Sequence, residues 1–127
     1  MNRKKVLFIC THNSARSQMA EGLMNHLKKD KYIAFSAGVI ATKVKENAIK
    51  AMEEIGIDIK NHFSKTIEVF AGEDFDYVIT VCDSAKESCP FFPRAKNIIH
   101  KSFKDPSTLD DFRKVRDQIK KWIEEYF

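Results

Sequence analysis

The sequence predicts a single α/β domain built on an open parallel sheet. Three observations carry this. Strand-like apolar runs alternate with segments of helical period along the whole chain. The first run, Val6-Leu7-Phe8-Ile9, is apolar without interruption, as a strand buried on both faces must be. Residues with obvious chemistry follow the strands rather than interrupting them.

Taken in order, Val6–Ile9 is the first strand. Beyond the loop at 10–17, Ala20, Leu23, Met24 and Leu27 fall at helical spacing and predict a helix over 15–29 with Ser14 as N-cap. Residues 32–37 read as a second strand ended by Gly38. Val44, Ala48, Ala51, Met52 and Ile55 mark a second helix, with Gly56 where helices commonly stop. A short helix is expected over 64–70, a third strand over 76–81 and a short fourth over 97–100. Leu109, Phe112, Val115, Ile119, Trp122, Ile123 and Tyr126 form one stripe of a final helix. Ser107 or Thr108 caps it, and Asp110 and Asp111 complement its positive end. Right-handed crossovers between such strands put Cys10, Cys82 and Asp105 on one rim, beyond the carboxyl ends of the strands.

With 127 residues, the chain suffices for one domain with a real core, residues 1–127 together. Apolar residues at 43% and charged residues at 31% describe an ordinary globule. No stretch approaches the roughly 18 apolar residues of a membrane span, nor the roughly 7–15 of a signal peptide. A cytoplasmic monomer is expected. The net charge of +4 is dispersed over pairs such as Lys28-Lys29 and Lys120-Lys121, which excludes nucleic acid as the main partner. It still favours drawing in a small anion.

Cys10-Thr11-His12-Asn13-Ser14-Ala15-Arg16-Ser17 joins the first strand to the first helix. A loop in that place offers backbone N–H groups and a helix dipole to an anion. The segment has no glycine, and Asn13 is the residue best suited to a left-handed turn. Arg16 can grip two oxygens of a tetrahedral oxyanion, and the same field is expected to stabilise a Cys10 thiolate as nucleophile. Ser17, with Ser14, can add hydroxyl donors to the sulfur. The plainer alternative, a strand-ending cysteine and an exposed arginine, leaves this whole constellation without a reason. Neither a Walker lysine nor a Gly-x-Gly-x-x-Gly is present, so a nucleotide is not expected. Asp105-Pro106 supplies a carboxyl on a rim loop, suited to act as general acid toward a departing oxygen.

Three cysteines in a cytosolic chain point to reactivity rather than a structural framework. Cys82 and Cys89 beside a reactive thiol suggest sequential disulfide exchange. Seven helical positions separate Cα atoms by about 10 Å, against roughly 4.4–6.8 Å in a disulfide, so a helical 82–89 segment must loop or unwind to close. Its residues Asp83–Ser88 are polar and short of core anchors. Two alternatives stand beside this: a buried Cys82 with an incidental Cys89, and zinc held by the thiols with His12 or His100. No Cys-x2-Cys or His-x3-His pair supports the zinc site, and no metal is expected.

Together these residues resemble the thioredoxin-coupled arsenate reductases, on the fold of the low-molecular-weight protein tyrosine phosphatases. The likeness runs over essentially the whole chain. It rests on CTHNSARSQMAEG at 10–22, SAG at 36–38, NHFSK at 61–65, the C-x6-C at 82–89 followed by Pro90, and Asp105-Pro106. The resemblance implies a three-layer sandwich around a four-stranded parallel sheet. It also implies three displacements. Cys10 attacks arsenate held by the loop and Arg16 while Asp105 protonates the leaving oxygen; Cys82 attacks Cys10, releasing arsenite; Cys89 attacks Cys82, and thioredoxin reduces the resulting 82–89 disulfide. No cofactor is needed, and phosphate or sulfate are expected to compete.

The chain departs from the family in places. Some members bind potassium through residues matching Asn13, Glu21 and Ser36 plus an aspartate, where Lys65 stands here. The expectation is that the Lys65 ammonium replaces the ion or that the site is lost. His12 and Ala15 replace a glycine and a cysteine common in the loop without removing a needed donor, and His62 is read as a structural histidine.

Rival functions remain at this level. One is a low-molecular-weight phosphatase acting on phosphotyrosine or a small phosphoester, against which Ser107 and Thr108 stand where that fold usually carries aromatics. Another is a non-enzymatic phosphocarrier or anion-binding module, which leaves Cys82 and Cys89 idle. A third is a reductase coupled to glutaredoxin or a small thiol instead of thioredoxin.

Overall fold

A computed structural model of the chain describes residues 2–82 and 94–127. Four strands, β1 (Lys4–Cys10), β2 (Tyr32–Gly38), β3 (Phe75–Thr80) and β4 (Ala95–His100), form one parallel sheet in the order β2-β1-β3-β4. Helices α1 (Arg16–Leu27), α2 (Glu46–Glu53) and α3 (Leu109–Tyr126) pack on one another. A 3-10 turn spans Ile67–Phe70. The strand order reverses between β1 and β3, so the crevice at their carboxyl ends is where such sheets take their ligands.

The core follows from the strand pattern. Val6, Leu7, Phe8 and Ile9 are wholly buried, because β1 is central and both its faces are covered. Alternation along β2 sends Tyr32 toward the α3 terminus, where it meets Phe127, and Phe35 to the opposite face, where it meets Phe70 and Phe75 edge-on. On the α1–α2 seam, a Cβ at Gly22 would lie 2.9 Å from Ile59, so the helix approaches as closely as it does only without a side chain there.

Several boundaries differ from the expectation. Helix α1 stops at Leu27, and the carbonyl of Lys28 is taken by the N–H groups of Lys31 and Tyr32, turning the chain into β2. Ser14 does not cap α1. Ala15 stands at the N-cap and no side chain closes the turn, which opens on a cavity. β4 starts two residues earlier than expected, since Ala95 pairs with Phe75, while Asn97 and Ile98 stay exposed on this edge strand. The 64–70 segment is only the 3-10 turn.

Helix α3 begins as expected, with Thr108 and Asp111 in a reciprocal capping box. The Asp111 carboxylate accepts from the Thr108 N–H at 3.2 Å and from the Ser107 hydroxyl at 2.9 Å. These bonds, the Thr108 N–H first, bring its carboxyl down to about 2. A depressed folded value means this stabilisation is complete above the unfolded carboxylate range, about 3.9, and is lost as pH falls through about 2. Asp111→Ala should therefore melt below the native chain near neutral pH, with the gap narrowing between about pH 4 and 2 by circular dichroism. A gap constant over that range would contradict the cap. At its other flank α3 grips α2: Arg113 and Arg116 both bind Glu54, with Arg113 the larger cause of its lowered carboxyl. Among the described residues no helix is long and apolar enough to cross a membrane.

Candidate active site

The loop at 10–17 folds around Asn13, which adopts φ 51°, the left-handed conformation its side chain makes tolerable. Asn13 is wholly buried, and its amide orientation is set on both sides. The Oδ1 accepts from the Lys65 N–H at 3.0 Å and from Gln18 Nε2 at 3.0 Å, so Nδ2 is left to donate to Ser17 Oγ at 2.8 Å. That matters for the sulfur. Ser17 Oγ lies 2.8 Å from Cys10 Sγ and accepts from Asn13, which leaves its single hydrogen available to the sulfur. A thiolate at Cys10 therefore meets a donor placed in advance.

Gly38 makes the loop's shape possible. It pairs with Cys10 across the sheet, and a Cβ there would sit 2.8 Å from the Asn13 nitrogen, 2.8 Å from the Ile40 oxygen and 2.9 Å from the Thr11 oxygen. All three are backbone atoms, so only glycine fits.

Around the mouth, Cys10, His12, Ser14, Ala15, Arg16, Lys45 and Asp105 line a cavity of about 140 Å³. Such a volume is well under the roughly 300 Å³ at which sites for drug-sized ligands begin, and suits a small ion. Arg16 Nη1 donates to the Phe103 carbonyl at 2.9 Å, and Nη2 lies 3.6 Å from Asp105 Oδ1. The arginine is thereby held at the lip with its carboxylate partner beside it. The Asp105 side chain is 71% exposed, free to reach a group entering the cavity.

Cys82 lies two residues past β3, and the N–H of the intervening Val81 is bound by the Ile9 carbonyl of β1, so the two strand ends lie side by side. Cys82 Sγ is 3.3 Å from the hydroxyl of Thr11, the neighbour of Cys10, and both thiols are buried and outside any disulfide. Cys10 and Asp105 thus share the cavity, and Cys82 lies against Thr11 at the same end of the sheet. Cys89, Pro90 and the Asp83–Ser88 segment lie outside the described residues.

Behind the loop, Ser36 Oγ donates to Glu21 Oε1 at 2.6 Å, and Lys65 Nζ lies 4.0 Å from the same oxygen. The ammonium also donates to the Phe63 carbonyl at 3.1 Å, and only 12% of the Lys65 side chain is exposed. Burial lowers the lysine's proton affinity and Glu21 partly restores it. With a cation already on Glu21 beside Asn13 and Ser36, this cluster does not fit a potassium ion. His62 bridges Gln18 Oε1, at 3.0 Å from Nδ1, and Glu21, at 3.6 Å from Nε2, which is a structural placement. Among the described residues no group of three His, Cys, Asp or Glu is placed to hold a metal.

Three residues here escaped the sequence reading as parts of the site: Gly38, Gln18 and Lys45. Gln18 falls inside the 10–22 motif, but its residue type alone gives no role, because a glutamine on a helix reads as surface. Lys45 carried one, since it occupies the N-cap of α2, where cations are disfavoured.

Residues 5–127 match the low molecular weight phosphotyrosine protein phosphatase family. Arsenate reductase 1 of Staphylococcus epidermidis is 43% identical over 128 residues, covering 99% of this chain and 97% of that one. A solved arsenate reductase in its phosphate-binding state superposes with a TM-score of 0.84 at 38% identity, over 97% of this chain and 95% of the other. The thioredoxin-dependent arsenate reductase of Corynebacterium glutamicum superposes with a TM-score of 0.76 at 27% identity, over 98% of this chain and 60% of that longer one. With its cysteine cradle at the switch point of a β2-β1-β3-β4 sheet, the chain belongs to the low molecular weight phosphotyrosine protein phosphatase family and groups there with the arsenate reductases.

Proposed function

We propose that this chain reduces arsenate to arsenite by passing one bond along Cys10, Cys82 and Cys89, with thioredoxin restoring the last pair. The observation that supports the reading is the Cys82 sulfur lying 3.3 Å from the hydroxyl of Thr11, the residue next to Cys10. Residues 1–127 act as one cytoplasmic monomer without a cofactor, and phosphate and sulfate compete for the cradle.

Arsenate enters with its oxygens toward the loop N–H groups of Thr11–Ser17 and the Arg16 fork. The Cys10 thiolate, faced by the Ser17 hydroxyl, displaces one oxygen, which leaves as water after taking a proton from Asp105. Cys82 then attacks the Cys10 sulfur. The S–As bond breaks with its electron pair going to arsenic, so arsenic is reduced by two electrons and two thiols become a 10–82 disulfide. Cys89 attacks Cys82, freeing Cys10 as a thiol. The thioredoxin dithiol reduces the 82–89 disulfide and is itself oxidised.

The phosphatase reading has less support. Thr108 and Ser107 spend their side chains on Asp111 at the α3 cap, so nothing after Asp105-Pro106 flanks a phenyl ring. The deciding assay follows arsenite formation with thioredoxin and its reductase, beside glutaredoxin with glutathione, and p-nitrophenyl phosphate hydrolysis. Multiple turnover with thioredoxin is expected. Ester hydrolysis without any arsenite would overturn the proposal, and turnover only with glutaredoxin would replace the partner.

The Lys65 ammonium stands in for the cation that some relatives bind beside the loop. Turnover in potassium chloride should match that in sodium chloride at equal ionic strength within about twofold, since a screening effect alone does not distinguish the ions. A large gain specific to potassium would refute this.

A further inference from the structure

Two cations open helices at the cavity. Arg16 is the first residue of α1 and Lys45 the N-cap of α2, and both line the space in front of Cys10. Positive side chains at helix N-termini oppose the macrodipole, so neither position is explained by helix stability. A residue that breaks a local rule without a stabilising return is a candidate for function. Arg16 already has its role in the cradle. Lys45 has none so far.

Its backbone is clamped to the loop. The Lys45 N–H donates to the Ser14 carbonyl at 2.8 Å, and its own carbonyl accepts from Ala48 at 3.0 Å and Ile49 at 3.2 Å. The Cα is therefore fixed between the cradle and the first turn of α2, whose far end is held to α3 through Glu54. The side chain makes no cap, and its ammonium has no carboxylate or hydrogen-bond partner among the described residues; neighbouring Glu46 is paired with Lys50.

The charge balance of the cavity then matters. Arg16 is offset by Asp105 at 3.6 Å, which leaves Lys45 as the uncompensated cation of the lining among the described residues. Sulfate is a dianion at neutral pH, and arsenate and phosphate reach that charge as pH rises through neutrality. Building on the oxyanion-cradle reading above, we propose that the Lys45 ammonium binds the second negative charge of a tetrahedral dianion in the Cys10–Ser17 loop and gives the site its preference for dianions. The ammonium approaches the outward oxygens from α2 while the loop N–H groups and Arg16 hold the others.

The test uses the native full-length chain, Lys45→Met and Lys45→Arg. Phosphate affinity is measured by titration calorimetry in the reduced protein, which requires no turnover. Sulfate and perchlorate, a dianion and a monoanion of the same shape, are compared as competitors of phosphate. Lys45→Met should weaken phosphate and sulfate about tenfold, on the scale of one ion pair in partial solvent, and perchlorate by about threefold or less. Lys45→Arg should restore most of the loss. In the arsenate assay the effect should fall on KM rather than kcat, because the ammonium meets the anion before and after Cys10 attacks. Unchanged phosphate affinity in Lys45→Met would overturn the proposal, as would equal losses for sulfate and perchlorate. A native chain that binds phosphate in a Lys45-dependent way yet never yields arsenite would leave this inference standing and sink the reductase.

Discussion

Cys10→Ser is expected to lower arsenite formation by about a thousandfold or more, the scale on which removal of a covalent nucleophile acts. The hydroxyl is a far weaker nucleophile than a thiolate, and a serine ester of arsenic gives Cys82 no sulfur to attack. The fold should be untouched, because Cys10 sits at the end of a strand whose core positions are Val6–Ile9. The other two thiols separate the later steps. Cys82→Ser should stop at the Cys10 adduct and release no arsenite. Cys89→Ser should release about one arsenite per chain and then stall as the 10–82 disulfide, since each chain then holds one pair of usable thiols. Rapid-quench measurement of arsenite against enzyme concentration reads all three. Full turnover in Cys82→Ser would end the relay.

Gly38→Ala should be the most damaging change that leaves every reacting group in place. The added carbon would press on the Asn13 nitrogen, the Ile40 oxygen and the Thr11 oxygen at 2.8–2.9 Å. Backbone cannot yield there without moving Asn13, whose side chain orients Ser17 toward Cys10. A displacement approaching 1 Å in a reacting constellation costs about a hundredfold, so kcat/KM should fall on that order. Overpacking should also cost about 1–3 kcal/mol of stability. The chain should still fold, because the strain falls on the rim and not on the Val6–Ile9 core. Near-native arsenate turnover in a folded Gly38→Ala protein would show that the loop tolerates the shift.

Much of this was readable along the chain. An unbroken apolar run has only one comfortable place, the middle of a parallel sheet, so β1 and the loop behind it follow from composition alone. Helix α3 and its cap are equally local, since the stripe from Leu109 to Tyr126 and the Thr108–Asp111 box need no partner to be recognised. Asn13 could be singled out because a glycine-free tight turn leaves few residues able to adopt positive φ. At α1 the N-cap differs from the expectation while the start lies within one residue of it. Ser14 looks like a cap, yet Ala15 holds that position without a side-chain bond, and the turn is left open toward the cavity.

By itself the amino-acid sequence determined the order of strands and helices, the cysteine loop after β1 and the end of the sheet to which Cys10, Cys82 and Asp105 belong. Periodicity and the right-handed crossover are local rules, and a parallel sheet carries them to one edge. Only the tertiary structure decided what surrounds that rim: Gly38 beneath the loop, Gln18 and Lys65 fixing Asn13, Thr11 against Cys82, and Lys45 across the cavity from Arg16. These contacts join segments many residues apart, and their presence depends on distances of an ångström or less, which no pattern along a single chain encodes.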